Sequence, residues 1–361
     1  MSLNDEVRNF WEQEPCGTSQ GIAGDAPQHT RDWFEKVEEH REVLMLPVHY
    51  FSVIRCPKCS GQLDQSAEIE LQCRKCDIIY PVVDNIPILL AQHEMDAVAQ
   101  EIKAWYEKNW QGQIGDTKAK KHHEDLSNLG QSYIQAGEQR YIEEMSARSG
   151  NDFLDVGCGA QPRPDASKGH QYHVCLDLSL SGVQQCRDIL GARGIFVVGS
   201  ATNPPFAEEF AATVLASHCI YHINVDLQPA ALRQLYLRVA KGGIFNIFYF
   251  NPSSFEMVAT WPVRTIMRAL KRHSRNEASI YFHPLPVSRM AEVINKEMGT
   301  REWAATREWA ARPLRFFSLN VSRPIFALPA LGRAAYSVFR ALEKLPAALN
   351  TYLVYTIRKP S

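Results

Sequence analysis

Short apolar runs alternate with helical-period segments from about residue 151 onward. Runs near 152–156, 172–177, 195–198, 212–217 and 243–250 have strand length, and apolar residues recur at helical spacing near 180–190 and 228–240. Strand, helix, strand repetition predicts a parallel sheet covered on both faces. The tail is helical in period near 258–272, 287–297 and 322–346, and Tyr352 to Ile357 reads as a closing strand. Upstream, residues 1–50 are polar and helical in period, with Trp33, Phe34 and Val37 on one face, Thr30 as N-cap and Pro47 as terminator. Residues 51–91 switch to turns and short β-rich runs, Tyr80-Pro81-Val82-Val83 and Ile86 to Leu90. Helical patterning returns over 92–131 as a linker or lid, interrupted by the charged stretch Lys118 to Asp125. A further helix, with Tyr133, Ile134, Tyr141, Ile142 and Met145 in register, opens an α/β domain expected to span 132–361, its tail forming a helical cap. Two echoes, Thr300 to Ala305 repeated at Thr306 to Ala311 and Val7 to Glu12 against Ile102 to Glu107, carry no longer period and read as a local duplication and as chance.

Composition narrows the class. The chain has 361 residues, 45% hydrophobic and 22% charged, with a net charge of −1. A disordered chain is excluded, and so is an overall basic nucleic-acid footprint. No apolar run approaches the roughly 18–20 residues of a membrane span. The opening Met-Ser-Leu-Asn-Asp-Glu is acidic and has no apolar signal core, so a cytoplasmic chain is expected.

Four of the nine cysteines form one pattern: Cys56-Pro-Lys-Cys59 and Cys73-Arg-Lys-Cys76, with thirteen residues between the pairs. Four thiolates at this spacing can converge tetrahedrally on one ion, and a closed soft donor set favours structural zinc. A redox pair, an iron–sulfur cluster and coincidence are the alternatives. Pro57 and Gly61 suit the tight turns of the two knuckles. The remaining Cys16, Cys158, Cys175, Cys186 and Cys219 are odd in number, which argues against a closed disulfide framework. With Tyr80-Pro81-Val82-x-Asp84-x-Ile86-Pro87-Ile88-Leu89-Leu90, the cysteine pairs resemble the small zinc-ribbon family that activates tRNA, rRNA and protein methyltransferases. The resemblance covers about forty residues, and the family usually has Gly where this chain has Asn85. It implies a module that binds and stabilises a methyltransferase, here fused in cis, with protein contact through the ribbon.

The run Phe153-Leu154-Asp155-Val156-Gly157-Cys158-Gly159-Ala160 is an apolar strand entering a glycine turn. Glycines let the backbone approach a ligand closely, and a following helix N-terminus would offer free N–H groups. Pro162 occupies the third glycine position of a dinucleotide fingerprint, so a pyrophosphate site is disfavoured. Asp177 arrives at the distance expected of a ribose acceptor at the end of the second strand.

Together these residues resemble class I methyltransferases that use S-adenosylmethionine, over about 151–250. The resemblance implies a Rossmann-like, doubly wound, mostly parallel seven-stranded sheet. It puts the cofactor against Asp155, Gly157, Cys158 and Gly159, against Asp177 and Leu178, against Ser200, Ala201 and Thr202, and against Ser217 and His218. Gln161 stands where the family often has a third glycine, and Ser200 where it usually has Asp. The lead-in from Val7 to Thr18 resembles that of bacterial small-molecule methyltransferases, and Trp105-Tyr106-x-x-x-Trp110 resembles the helix that closes over the cofactor in them.

By the same resemblance, the residues after the fourth strand face the methyl group. That nominates His222 and His218 as bases, imidazole titrating near neutrality, and Tyr221 as a substrate contact. His283 is a further candidate. Arg264, Arg268, Lys271, Arg272, His273 and Arg275 form a basic cluster, and Ile325 to Leu349 an amphipathic cap of mixed charge. The expectation is methyl transfer to oxygen or nitrogen of a small molecule such as a sugar, nucleotide sugar or secondary metabolite. The rivals are an RNA methyltransferase and a catalytically silent docking module.

Overall fold

The structure is a computed structural model. It describes residues 46–67, 69–90, 95–110, 141–254, 280–298, 312–316 and 352–361, with isolated positions at 139, 257, 258, 261 and 337. The lead-in with Thr30 and Trp33, Tyr133 and Ile134, the charged stretch at 118–125, the basic cluster at 264–275, the duplication at 300–311 and most of the 322–346 tail lie outside the described residues. The chain divides into two compact units, one ending at Leu89 and one starting at Leu90.

In the first unit a one-and-a-half-turn helix, α1 (Val48–Val53), precedes four strands: β1 (Leu63–Ala67), β2 (Glu70–Cys73), β3 (Ile79–Val83) and β4 (Ile86–Leu89). All neighbours pair antiparallel. The β3–β4 hairpin turns on Asp84 and Asn85, at φ 51° and 59°. Two consecutive left-handed residues make the turn whose twist matches the strands, and Asn and Asp tolerate that region best after Gly. Asn85 therefore does the work of the family's glycine. Tyr50, Val53, Ile54, Leu63, Leu71, Tyr80, Val82, Ile86 and Leu89 fill the core.

The second unit begins with α2 (Ala97–Trp110), capped by Asp96, whose Oδ1 accepts from Ala99 N at 2.8 Å. Then follow β5 (Asp152–Val156), β6 (His173–Asp177), α3 (Leu180–Leu190), β7 (Gly194–Gly199), β8 (Ala211–Ser217), α4 (Gln228–Arg238), β9 (Val239–Phe250), α5 (Val287–Glu297), β10 (Arg312–Phe316) and β11 (Tyr352–Arg358). Strand order within this unit is β7-β6-β5-β8-β9-β11-β10. β5 to β9 are parallel, and β11 runs antiparallel between β9 and β10. The doubly wound sheet expected from the alternating pattern is therefore present, seven strands wide. β5, β6 and β7 are buried along nearly their whole length, as strands covered on both faces must be.

Two local expectations need correction, and one strand was not foreseen. No helix follows the glycine turn: residues 157–171 are turns and irregular backbone, with one isolated bridge at His170. Pro162 and Pro164 push the residues before them, Gln161 and Arg163, out of the α region, which explains it. The helix near 228–240 stops at Arg238, and the following strand starts at Val239 rather than 243. β10 had no clear apolar run, since Arg312-Pro-Leu-Arg-Phe316 is half basic or proline.

Gln228, fully buried at the start of α4, joins the parts of the sheet's C-terminal end. Its Nε2 donates to Ile223 O and His283 O, and its Oε1 accepts from the Tyr249 hydroxyl. That hydroxyl in turn accepts from Leu285 N at 2.8 Å. Gln228→Leu keeps the volume but strands two carbonyls and a hydroxyl in the core. It is expected to lower the unfolding free energy by about 2–3 kcal/mol in urea titrations.

Candidate functional site

The glycine turn is dictated by crowding. Gly157 and Gly159 sit at φ +67° and +53°. A Cβ on Gly157 would lie 2.4 Å from Cys219 Cβ, and one on Gly159 would meet the Trp110 indole at 3.0 Å. Backbone therefore runs where no side chain fits. The Asp177 carboxylate braces the turn, accepting from Gly159 N and from Ser179 N at 2.9 Å each. Burial pushes its pKa up to about 6, against the downward pull of the N–H groups of Ser179, Gly159 and Leu178.

Helix α2 lies over this turn. Glu107 accepts from the Ser179 hydroxyl at 2.8 Å, and from Ser181 N and the Ser181 hydroxyl. A carboxylate at the first turn of α3 also meets the positive end of its dipole. Gln185 Nε2 donates to Trp110 O at 2.7 Å. The Trp110 Nε1–H is buried against Gly159 with no hydrogen-bond partner among the described residues. Tyr106 stacks on Trp110 and meets the His222 ring edge-on at 6.1 Å.

The turn after β8 holds the nominated histidines. His218 sits at φ +58°, its ring against Phe248 and Tyr352. His222 Nδ1 bonds Tyr281 O at 2.7 Å, which makes Nδ1 the protonated nitrogen and leaves the Nε2 lone pair open. Burial lowers its pKa, so the ring is neutral at pH 7. Tyr221 is buried among His222, Phe282 and Tyr249, and burial pushes its phenol well above its ordinary value. His283 enters mainly through its backbone, with N bonded to Tyr221 O.

Not every nominated side chain faces this place. Asp155 turns into the interior, where Oδ2 meets His173 Nε2 at 3.3 Å and His173 Nδ1 meets Ser167 Oγ at 2.9 Å. The Cys158 side chain also points inward, so only its backbone lines the turn. Ser200 Oγ accepts from Thr202 N at 3.2 Å and bonds the Thr202 hydroxyl, closing a turn that carries Ala201. Leu178 is half-buried between Asp177 and the N-cap Ser179. The sequence reading missed Arg163: its guanidinium lies over the Phe248 ring at 5.8 Å, with Nη2 3.5 Å from Ser217 Oγ. A cation four residues past a glycine turn was the only available signal.

In the first unit the Sγ atoms of Cys56, Cys59, Cys73 and Cys76 lie within 4.8 Å of one another. The Cys56–Cys76 and Cys59–Cys73 separations are 3.6 and 3.4 Å. A tetrahedral ion with metal–sulfur bonds of about 2.3 Å needs sulfurs about 3.8 Å apart, so the set fits. The two knuckles match each other. Ser60 and Asp77, both at φ 56°, return N–H bonds to Cys56 O and Cys73 O. Gly61 leaves room for the thiols, since its Cβ would meet Cys73 Sγ at 3.0 Å. Against the upward push of burial, N–H groups of Lys75 and Cys76 bring the Cys73 thiol down to about 7.

Comparison with known proteins matches each unit separately. A family model described as a methyltransferase domain matches residues 154–247, and one described as Trm112p-like protein matches 51–85. A UPF0434 protein of Hamiltonella defensa is 36% identical over 56 residues, covering 15% of this chain and 95% of that one. Another, from Idiomarina loihiensis, is 36% identical over 53 residues, 14% of this chain and 82% of that one. A complex of the Haloferax volcanii Trm112 methyltransferase activator with a methyltransferase superposes at TM-score 0.45 and 15% identity, over 73% of this chain and 98% of that one. An S-adenosylmethionine-dependent methyltransferase of Mesorhizobium loti does so at 0.41 and 14%, over 63% and 100%.

Gly157→Ala combines a left-handed φ with a clash at Cys219 Cβ. It is expected to cost about 2–4 kcal/mol of stability in urea titrations. Adding Cys219→Gly should recover the clash share and leave about 1–2 kcal/mol of backbone strain.

Proposed function

From a chain that belongs to the Trm112p-like family through its ribbon and is an S-adenosylmethionine-dependent methyltransferase through its sheet domain, we propose an enzyme that methylates oxygen or nitrogen of a small molecule. When bound, the cofactor supplies an electrophilic methyl group on a sulfonium. The fit of the site to it rests on this chain's own atoms: two glycines that exclude any Cβ, a carboxylate at the end of β6, and a buried indole N–H without a partner.

The roles follow from position. Gly157 and Gly159 give the backbone close approach, with Cys158 contributing its main chain. Asp177 accepts from the ribose hydroxyls through its remaining lone pairs, beside Leu178. Ser200, Ala201 and Thr202 form the turn at the adenine end, and Ser217 and His218 flank the amino-acid end. Asp155 supports the strand from below through His173.

His222 carries the reading. Its Nδ1–H is committed to Tyr281 O, so Nε2 can take the proton of an attacking hydroxyl or ammonium. Tyr106, Tyr221 and Phe282 flank the half-buried ring, and Phe282 is itself 42% exposed. An aromatic surround of this kind supports a small acceptor over a folded RNA. The basic cluster that motivated RNA lies outside the described residues. In the ribbon, the four thiolates are proposed to hold structural zinc. No helix among the described residues is long and apolar enough to cross a membrane. A cytoplasmic setting is proposed from the thiols of Cys158, Cys175, Cys186 and Cys219, none of which is in a disulfide among the described residues.

The deciding experiment is calorimetric titration of the zinc-loaded chain with S-adenosylhomocysteine. Micromolar binding is expected; no heat and no thermal shift would overturn the enzyme reading in favour of a docking module. Affinity is expected to be level above pH 7 and to fall about tenfold per unit below about pH 6, where Asp177 takes up its proton and stops accepting. Once an acceptor is found, His222→Gln should lower kcat by about 10²–10⁴-fold while S-adenosylhomocysteine affinity stays within a factor of three. An unchanged kcat would remove His222 as base.

A further inference from the structure

Three of the cysteines outside the ribbon come together under the glycine turn. Cys158 is in the turn itself, Cys175 is in the middle of β6, and Cys186 is on the buried face of α3. Their Sγ atoms lie within 4.8 Å of one another, and all three side chains are buried. None is in a disulfide. A single core cysteine is a small hydrophobe. Three that converge from a turn, a strand and a helix form a donor set.

We infer that Cys158, Cys175 and Cys186 form a second metal site, a trigonal three-sulfur site for a soft d10 cation, placed so that loading it opposes cofactor binding. The size fits. A planar three-coordinate ion with metal–sulfur bonds of about 2.3 Å needs sulfurs about 4 Å apart. That is reached with sub-ångström adjustment. No imidazole or carboxylate joins the set, so hard ions such as magnesium or calcium are excluded. Loading a divalent ion forms three metal–sulfur bonds and releases the three thiol protons to solvent.

The coupling runs through one hydrogen bond. The Cys186 thiol donates to Gly159 O at 3.1 Å, on the far side of the peptide unit next to the one whose N–H reaches Asp177. Metal coordination removes that S–H and draws Cys158 toward the sulfurs, between the two left-handed glycines. The turn that must receive the cofactor is then pulled inward. This antagonism rests on the proposed cofactor role of the turn; the metal site does not. The effect is reciprocal, so cofactor should weaken metal uptake equally.

The probe is cadmium(II), added to the full-length zinc-loaded chain with cofactor absent, followed by desalting and elemental analysis. Two cadmium ions per chain are expected, with one zinc released from the ribbon, and a thiolate-to-cadmium charge-transfer band that grows through both steps. Cys186→Ala should keep the zinc exchange and take up only one cadmium. A wild-type chain that binds only the exchanging ion overturns the site whether or not the variant folds, and so does a second ion that persists in a folded Cys186→Ala. S-Adenosylhomocysteine affinity should fall at least tenfold when the second ion is bound. Uptake without that loss overturns the antagonism. Failure of the chain to bind S-adenosylhomocysteine in the absence of cadmium counts against the cofactor reading instead.

Discussion

The Asp177 carboxylate is the constraint on which the site depends. A glycine turn usually leans on the helix that follows it, but here Pro162 and Pro164 keep Gln161 and Arg163 out of the α region and turns stand in that place. The turn is held from the side instead, by one half-buried carboxylate that spans Gly159 N and Ser179 N. One bond fixes the turn and the other fixes the entry to α3, so the end of β6 sets both. The arrangement has an electrostatic cost, visible in the upward shift of the carboxyl to about 6. An acceptor held ready in a partly dry place is what a ribose would meet.

A second carboxylate repeats the logic from outside. Glu107 covers the N-terminus of α3 and ties α2 to it through Ser179 and Ser181. Both acids therefore act on the same helix end, Asp177 from the strand side and Glu107 from the solvent side. The indole of Trp110 is brought onto Gly159 by this tie, and the absence of Cβ there allows it. The closeness of α2 to the turn follows from Gly159, from Glu107 and from Gly182, where a Cβ would meet Gly159 O at 2.9 Å and Trp110 Cδ1 at 3.3 Å.

Most of the architecture was legible because parallel strands buried on both faces are dominated by apolar residues. β5 to β8 are, despite Asp152 and Asp155 in β5 and the terminal His173 and Asp177 of β6, and each was placed within about a residue. β10 was not legible, since Arg312-Pro-Leu-Arg-Phe316 has neither alternation nor an apolar run. The metal set was legible because two cysteine pairs encode a geometry in their spacing. The inner thiol cluster was not: Cys158, Cys175 and Cys186 are spaced by strand and helix lengths, and only the crossover brings them together. Asp155 shows the opposite error. Its neighbour in sequence lines the turn, but strand alternation sends its carboxylate to His173 in the interior.

The histidines divide by what their backbone allows. Both lie just past β8, and on sequence alone His222 was the more attractive base. His218 takes a left-handed φ of 58°, which turns its ring onto Phe248 and Tyr352. His222 ends a short helical turn, and Tyr281 O holds one of its nitrogens. That carbonyl is in place because the segment from Tyr281 to Leu285 is fastened through Gln228, Tyr249 and the Tyr281 hydroxyl, which accepts from Val225 N. A residue 59 positions away thus decides which nitrogen of His222 carries the proton. The tautomer is a property of the tertiary fold, and the local sequence Ile220-Tyr221-His222 has no means of specifying it.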